Sequence, residues 1–112
     1  MISYYDLALV PLSENDNNFP SDFRLYQNYP NPFNPVTTIS FDINEPGFAE
    51  IRIYDIKGKE VTTALNRTNL QRGNHSVNFN AADLSSGVYF YRIIFNNGIK
   101  VTVDSRKMIL IK

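Results

Sequence analysis

Residues 37–43, TTISFDI, alternate between polar and apolar side chains with a period of two. Ile39, Phe41 and Ile43 fall on one face of such a strand, and polar residues fall on the other. This alternation is typical of a β-strand that buries one face in a core and exposes the other to solvent. The stretch therefore predicts a sheet that is covered on one side.

Further strands are predicted at short intervals, over residues 49–54, 60–65, 74–80 and 88–95, and then over 99–103 and 107–111. The last two form either one bent strand or two short ones, with residues 104–106 at the break. Residues 88–95, VYFYRIIF, are apolar on both faces apart from Arg92, which favours a central position in a sheet. About seven short strands without a helical period predict an all-β fold, an immunoglobulin-like antiparallel β-sandwich, with a barrel as the alternative.

The first hairpin is predicted around residues 55–59, DIKGK, where Gly58 takes the left-handed conformation that closes the turn. In the strand that follows this turn, the alternation predicts three side chains on the same face of the sheet: Val61, Thr63 and Leu65. Residues 67–73 are predicted to form a loop.

The second half of the chain follows the same pattern. His75, Val77 and Phe79 are predicted to share a face, and Leu84 is predicted to fill the core from the connection that follows. Residues 96–98, NNG, predict a second hairpin turn.

The composition limits the class of protein. The chain has 112 residues, 43% of them hydrophobic, which predicts one domain with a short appendage. Its formal net charge is zero, so bulk electrostatics favour neither nucleic acid nor an anionic membrane as a partner. No window reaches the roughly 18 apolar residues of a membrane span. Cysteine is absent, which excludes disulfides and thiolate chemistry.

The N-terminal region differs from the rest of the chain. Residues 4–12, YYDLALVPL, form an apolar, strand-like piece, and residues 13–18 form a polar run typical of a linker. The start has no basic region and does not resemble a signal peptide. We therefore predict that residues 1–20 are the tail of an upstream region with its linker, and that residues 21–112 are the domain. An ordinary N-terminal arm is the alternative.

Residues with catalytic potential are few. His75, the single histidine, lies on a strand between apolar neighbours, where a structural role is more common than a catalytic one. The aspartates at strand ends and turns are typical of backbone caps; they are Asp42, Asp55, Asp83 and Asp104. No G-x-S-x-G elbow is present. The sequence thus predicts a protein without enzymatic activity, metal or cofactor.

Residues 29–35, YPNPFNP, form a stiff segment, because Pro30, Pro32 and Pro35 lack the amide hydrogen that a sheet requires. One interpretation is a rigid entry strap that lies along the edge of the sandwich, with Tyr29 and Phe33 as its anchors. The other is that a partner contacts the segment directly.

Five short motifs occur in a specific order. The first, FRLYQN followed by YPNPFNP and TTI, covers residues 23–39. Then come D-x-x-G-[RK]-x-V at Asp55, Gly58, Lys59 and Val61, G-x-H-x-V-x-F at Gly73, His75, Val77 and Phe79, L-x-S-G-x-Y at Leu84, Ser86, Gly87 and Tyr89, and KMILIK at 107–112. In this order they resemble the C-terminal sorting domain of the type IX secretion system of Bacteroidota and related bacteria.

The resemblance implies a non-catalytic signal domain that directs an upstream cargo protein, in cis, across the outer membrane to the cell surface or the medium. Its implied partners are the outer-membrane translocon and, in many relatives, a sortase. It implies neither binding of nucleic acid nor insertion into a membrane. The version with Phe33, Asn34 and Pro35 departs from that of many sorting domains, so the resemblance supports the fold more strongly than sortase cleavage.

The recognition residues implied by these motifs are Tyr29, Pro30, Asn31, Pro32, Phe33, Asn34, Pro35, Gly58, Gly87, Tyr89, Lys107 and Lys112. Lys107 and Lys112 bracket the last strand with positive charge. Both faces of that strand carry apolar side chains, so we expect it to be paired in a sheet and partly covered.

A second function class is a structural or carbohydrate-binding immunoglobulin-like module attached to a surface enzyme. A carbohydrate site requires a row of exposed aromatic rings. Tyr89 and Tyr91, on one face of a central strand, are the candidates, although tyrosines at such positions more often pack in a core.

Overall fold

The part of the chain that this computed structural model describes, residues 23–112, contains seven β-strands. They are β1 (Phe23–Leu25), β2 (Val36–Ile43), β3 (Gly47–Asp55), β4 (Glu60–Leu70), β5 (Gly73–Asn80), β6 (Gly87–Asn96) and β7 (Val101–Leu110). The predicted tail and linker, residues 1–20, lie outside the described residues, and the boundary at residue 21 stays a prediction.

The strands form two antiparallel sheets. A three-stranded sheet has the order β1-β2-β5, and a four-stranded sheet has the order β4-β3-β6-β7. The two sheets face each other across one hydrophobic core. The predicted immunoglobulin-like β-sandwich is therefore confirmed, and the alternative of a closed barrel is wrong.

The core is built from the alternating positions that the sequence indicates. Ile39, Phe41 and Ile43 of β2 are buried and face the corresponding side chains of the other sheet, such as Ile51 and Ile53 of β3. Burial of each such side chain contributes about 1.5–3 kcal/mol to folding. The alternation thus selects which face of each strand turns inward.

Strand β6 lies in the middle of its sheet, as its two apolar faces predict. It pairs with β3 on one side and β7 on the other. Tyr91, Ile93 and Phe95 on its inner face are fully buried, whereas Phe90 on the outer face is 37% exposed. The outer face is thus only partly covered in residues 23–112.

Strand β4 is longer than predicted. It continues to Leu70, because Thr68 and Leu70 pair with Ala49 and Gly47 of β3. The predicted loop over residues 67–73 is therefore wrong, and only residues 71–72 separate β4 from β5.

Shifts in the β3–β4 register break the two-residue period of β4. The predicted shared face is consequently wrong in part: Thr63 is exposed, whereas Ala64 and Leu65 pack against the core. Bulges of this kind leave no clear signal in a short sequence window.

The two predicted hairpin turns are present. Gly58 has a φ of 84° in the β3–β4 turn, and Gly98 has a φ of 94° in the β6–β7 turn. Strand β7 is one continuous strand, in which Asp104 and Arg106 pair with Ile93 and Tyr91 of β6.

Residues 26–35, which we call the strap, join β1 to β2 and pair with both sheets. The N–H of Tyr26 donates to the carbonyl of Ser40, and Tyr29 forms an antiparallel bridge with Thr38 of β2. The chain then crosses to the other sheet, where Phe33 forms a parallel bridge with Leu110 of β7. The peptide bonds before Pro30, Pro32 and Pro35 are cis.

The predicted strap along the edge of the sandwich is confirmed, but only one of its two anchors is. Phe33 is 2% exposed and belongs to the core, whereas Tyr29 is 81% exposed. Opposed residues of a sheet point to the same face, and Thr38, opposite Tyr29, lies on the outer face. Tyr29 therefore points to solvent, and its prediction as an anchor is wrong.

Candidate recognition site

The strap is held by a buried asparagine. Asn28 is 2% exposed, and its side-chain amide donates to the carbonyl of Pro30 at 3.2 Å and to the hydroxyl of Thr37 at 3.0 Å. The backbone N–H of Asn28 donates to the hydroxyl of Tyr91 at 2.8 Å, and that hydroxyl donates to the carbonyl of Tyr26 at 2.7 Å. Burial raises the pKa of Tyr91, so this hydroxyl stays protonated and able to donate at neutral pH.

The strap also covers the outer edge of β7. The N–H of Phe33 donates to the carbonyl of Ile109 at 2.9 Å, and the N–H of Ile111 donates to the carbonyl of Phe33 at 3.0 Å. The side chain of Asn31 accepts the N–H of Ile109 at 2.9 Å, and that of Gln27 donates to the carbonyl of Lys107 at 2.7 Å. Residues 107–111 are thus bonded on both sides, to β6 and to the strap.

Lys112 is fixed by the connection between β5 and β6. Its ammonium donates to the carbonyls of Ala82 and Leu84 at 2.6 and 2.8 Å, and its backbone N–H donates to the hydroxyl of Ser86 at 3.0 Å. The hydroxyl of Tyr89 donates to the carbonyl of Ser85 at 2.7 Å and steadies the same connection. Of the two lysines predicted to flank the last strand, Lys107 is exposed, whereas the ammonium of Lys112 is already hydrogen-bonded.

Most of the predicted recognition residues meet at one end of the sandwich. Tyr89 pairs with Met108 of β7 and with Asp55 of β3, at the beginning of the turn that contains Gly58. Gly87 pairs with Leu110, next to the bridge to Phe33. The chain enters the domain at the opposite end, because Phe23 pairs with Ile43 and not with the strap end of β2.

Within this group the exposed and buried members have different roles. Phe33 and Tyr89 are buried and stabilise the fold. The exposed members at this end follow the strap and the adjoining end of β7; together with Ile111 we call them the strap–β7 surface, defined as Tyr29, Pro30, Asn31, Pro32, Asn34, Lys107, Ile111 and Lys112. Two motifs that lie far apart in the sequence thereby become neighbours.

Sequence reasoning missed Gln27 and Asn28, which attach the strap to β7 and to Tyr91. Both appear in the first motif but carry no periodic signal. The available hint was an asparagine directly before a proline-rich stretch, since such a segment must satisfy its polar groups locally.

His75 has a structural environment. Its Nε2 atom lies 2.7 Å from the carbonyl of Gln71, and its ring stacks on Phe41 with 5.6 Å between centroids. Among residues 23–112, no group of three His, Cys, Asp or Glu side chains is placed to hold a metal ion.

The side chains of two aspartates accept hydrogen bonds from nearby backbone and side-chain groups. Asp55 accepts the N–H groups of Lys57 and Lys59 in the turn. Asp42 accepts hydrogen bonds from the hydroxyl of Tyr26 and, at 2.8 Å, from the side chain of Asn74. The bond from Tyr26, followed by that from Asn74, lowers the pKa of Asp42.

The proposed carbohydrate platform is not present at the predicted position. Tyr89 is 8% exposed and Tyr91 is fully buried, so neither ring can stack on a sugar. In the part of the chain that the structure covers, no helix is long and apolar enough to cross a membrane.

Comparison with known proteins identifies related domains. The sequence model of a family described as "Secretion system C-terminal sorting domain" matches residues 27–111. No curated protein matches the chain.

Two solved structures are similar in shape. Dimeric latent PorU from Porphyromonas gingivalis aligns with a TM-score of 0.67 and 19% identity, over 87% of this chain and 10% of the PorU chain. CopC from Methylosinus trichosporium OB3b aligns with a TM-score of 0.49 and 14% identity, over 79% of this chain and 92% of CopC. The likeness to PorU concerns the fold alone, and this chain spans about a tenth of PorU.

Proposed function

We propose, since this chain belongs to the family of secretion system C-terminal sorting domains, that its strap–β7 surface is the part that the secretion machinery reads. Domains of this family are the C-terminal sorting signals of type IX secretion. They mark proteins for export through the outer membrane to the cell surface or the extracellular space. Such a domain acts on a cargo in cis and interacts with the type IX machinery.

The observation that carries the proposal is the parallel bridge between Phe33 and Leu110. It holds the proline-rich motif and the last strand next to each other as one unit. Without the bridge the two motifs would be separate segments, each of which a partner would have to order on binding. A preformed surface avoids most of that entropic cost.

Tyr29 is the residue of this surface that we expect to contribute most to binding. Its backbone is fixed by the bridge to Thr38, while its side chain is 81% exposed. Tyrosine is among the residues that dominate the binding energy of protein interfaces, because its ring buries a large area at a low entropic cost. An exposed tyrosine on a fixed backbone has both properties.

We assign the remaining roles as follows. The outer-membrane translocon is the partner of the strap–β7 surface, and a sortase would act on the chain upstream of β1, away from this surface. The domain itself is non-catalytic and needs no cofactor. This assignment is supported by the structural contacts of His75 and of the aspartates, which serve turns and strand edges.

The proposal is tested with a reporter cargo fused upstream of the full 112-residue chain in a bacterium that has type IX secretion. We expect Tyr29→Ala and Lys107→Ala together to lower the surface fraction of the cargo at least about tenfold, the ratio that 1.4 kcal/mol of lost binding produces. The thermal unfolding of the purified domain should stay unchanged, because both side chains are exposed. Ile56→Ala is the matched control, since Ile56 is 70% exposed on the β3–β4 turn, outside the defined surface. Normal export of the double variant would contradict the proposal.

Removal of residues 108–112 is a weaker test, although it should also trap the cargo in the periplasm. Met108 and Leu110 are fully buried. Their loss therefore destabilises the sandwich and also removes part of the proposed signal. The exposed point variants separate these two effects. If the truncated cargo still reached the surface at normal levels, the last strand would not be part of the signal.

A further inference from the structure

The β6–β7 turn contains a pair of residues that can react with each other. Asn97 is followed by Gly98, and no other asparagine of the chain precedes a glycine. In such a pair the backbone nitrogen of the glycine can attack the side-chain carbonyl carbon of the asparagine, because glycine has no Cβ to hinder the approach. Gly98 is exposed and Asn97 is half-buried, so water reaches the turn.

Three hydrogen bonds hold the side chain of Asn97 in the folded domain. Its Oδ1 atom accepts the N–H groups of Ile99 and Lys100, both at 2.8 Å. Its Nδ2 atom donates to the carboxylate of Glu45 at 2.7 Å. Only this orientation of the amide fits its surroundings, because the two N–H groups require an acceptor and the carboxylate requires a donor.

The nitrogen that would attack is held as well. The N–H of Gly98 donates to the Oδ1 atom of Asn96 at 2.8 Å. Attack requires this nitrogen to give up its proton and to approach the Cγ atom of Asn97, whose oxygen is turned toward the two amides that follow. The reaction therefore requires the turn to open. Local opening costs free energy in a folded hairpin, whereas an unfolded chain has no such barrier.

The bond to Glu45 joins two turns that are far apart in the sequence. Glu45 lies between β2 and β3, which belong to different sheets, and Asn97 lies between β6 and β7. The chain packs closely at this point, since a Cβ added at Gly47 would meet the carbonyl oxygen of Asn96 at 2.7 Å. Asn97 is thus bonded to a part of the fold that is in place only when the two sheets have come together.

We propose that Asn97 is a site of spontaneous deamidation that the folded domain suppresses. When the turn is open, the nitrogen of Gly98 loses its proton and forms a bond to Cγ of Asn97, and the bond from Cγ to Nδ2 breaks. Nδ2 leaves as ammonia together with that proton, and a five-membered succinimide ring remains. Water then opens the ring at either of its two carbonyl groups and gives aspartate or isoaspartate.

The product cannot restore the bond between the two turns. A carboxylate at position 97 has no N–H group to donate to Glu45, and two negative charges then face each other at hydrogen-bond distance. A chain that folds soon after synthesis keeps Asn97, whereas a chain that is held unfolded converts it. The turn thereby records time spent unfolded as a permanent loss of stability.

Peptide mapping of the full 112-residue chain by mass spectrometry tests this proposal. The chain is kept at mildly alkaline pH, either folded or unfolded in urea, and is digested with trypsin at intervals. Peptide 93–100, IIFNNGIK, reports on Asn97, and fragment spectra distinguish it from Asn96. We expect Asn97 to deamidate at least about tenfold more slowly in the folded chain, because the reaction requires local opening. Peptide 60–67, EVTTALNR, is the internal control, since Asn66 precedes a bulky arginine and should stay intact in both states.

Variants at Glu45 separate the bond between the turns from folding in general. Glu45→Ala should raise the rate at Asn97 in the folded chain at least about fivefold, the ratio that 1 kcal/mol of lost local stability produces. Glu45→Gln should leave the rate unchanged, because the glutamine oxygen still accepts the bond. In urea, the parent protein and both variants should react at the same rate.

The consequence of the modification is tested with Asn97→Asp, which has the same side chain as one of the two products. This variant should lower the melting temperature by about 4 °C. Adding Glu45→Gln should restore the melting temperature, because the glutamine amide then donates to the new carboxylate. An unchanged melting temperature of Asn97→Asp would contradict the predicted loss of stability.

Three results would overturn the proposed site. One is an unfolded chain in which Asn97 stays intact. Another is deamidation of Asn97 at the same rate in the folded and the unfolded chain, since the fold would then give no protection. The third is a folded rate that does not change in Glu45→Ala, which would show that the bond between the turns does not keep the site closed.

Discussion

Tyr91 and Asn28 are joined by a hydrogen bond that connects the central strand of one sheet to the strap, which begins beside the other sheet. The hydroxyl of Tyr91 accepts a hydrogen bond from the N–H of Asn28 at 2.8 Å and donates one to the carbonyl of Tyr26 at 2.7 Å. One side chain thus satisfies two backbone groups of a segment that has no regular strand partner there. Both groups would otherwise be left without a partner beside the core.

Tyr91→Phe should destabilise the domain by about 1–3 kcal/mol, because the N–H of Asn28 and the carbonyl of Tyr26 lose their partner while the packing of the ring is kept. Urea unfolding measures the difference. Tyr54→Phe is the control, since the hydroxyl of Tyr54 has only a 3.4 Å contact with Arg92, and it should change stability by less than about 0.5 kcal/mol. Equal effects of the two substitutions would show that the buried hydroxyl is not important for stability.

Gly58→Val should cost about 1–2 kcal/mol, because a residue with a Cβ is strained in the left-handed conformation. The cost is conformational only: Gly58 has a φ of 84°, and an added Cβ would meet no atom within 4 Å. Gly58→Asn should cost clearly less, since asparagine tolerates this conformation. A thermal melt of Gly58→Val that matched the parent protein would contradict this explanation.

Asp42 should contribute to stability in neutral solution and lose that contribution in acid. Its pKa is lowered by the hydrogen bonds from Tyr26 and Asn74, so the unfolded chain takes up the proton first as the pH falls. The contribution is therefore complete above the unfolded pKa of about 4 and disappears as the pH drops through the lower folded pKa. In urea unfolding, the stability gap between the parent protein and Asp42→Asn should narrow from about pH 6 to about pH 2.5. A stability difference that did not change with pH would contradict the assignment of this contribution to the lowered pKa of Asp42.

Lys112→Ala should leave the fold intact and lower the free energy of unfolding by about 0.5–1 kcal/mol, since two charge-assisted hydrogen bonds at an exposed site are lost. The carbonyls of Ala82 and Leu84 then turn to water. Lys107→Ala, at an exposed position of the same strand, should change stability by less than about 0.5 kcal/mol. Hydrogen exchange of the amide of Ile111 should detect the local loosening in the first variant and not in the second.

Much of the fold could be predicted from the sequence, because a buried face produces a period of two. The pattern placed Ile39, Phe41 and Ile43 in the core and made β6 a central strand. It failed in β4, where bulges against β3 shift the register. Bulges depend on the partner strand, and a single strand does not encode them.

The candidate site was harder to predict, because its parts are distant in the sequence. The motifs included both the proline-rich segment and the last strand, but no local pattern indicates that Phe33 pairs with Leu110. Tyr29 and Phe33 are both aromatic and both lie next to prolines. Only the backbone pairing of each residue decides that Tyr29 is exposed and Phe33 is buried. Aromatic residues between prolines could not be assigned to the inner or outer side without that information.

The bridge between the strap and β7 has a consequence for damaged proteins. A chain that has lost residues 109–111, through premature termination or proteolysis, still contains the whole strap sequence but lacks the edge that holds it. Such a chain presents no assembled surface, whatever the state of the protein that precedes it. Under the proposed function, the surface that the secretion machinery reads is displayed only by a chain that includes its last strand.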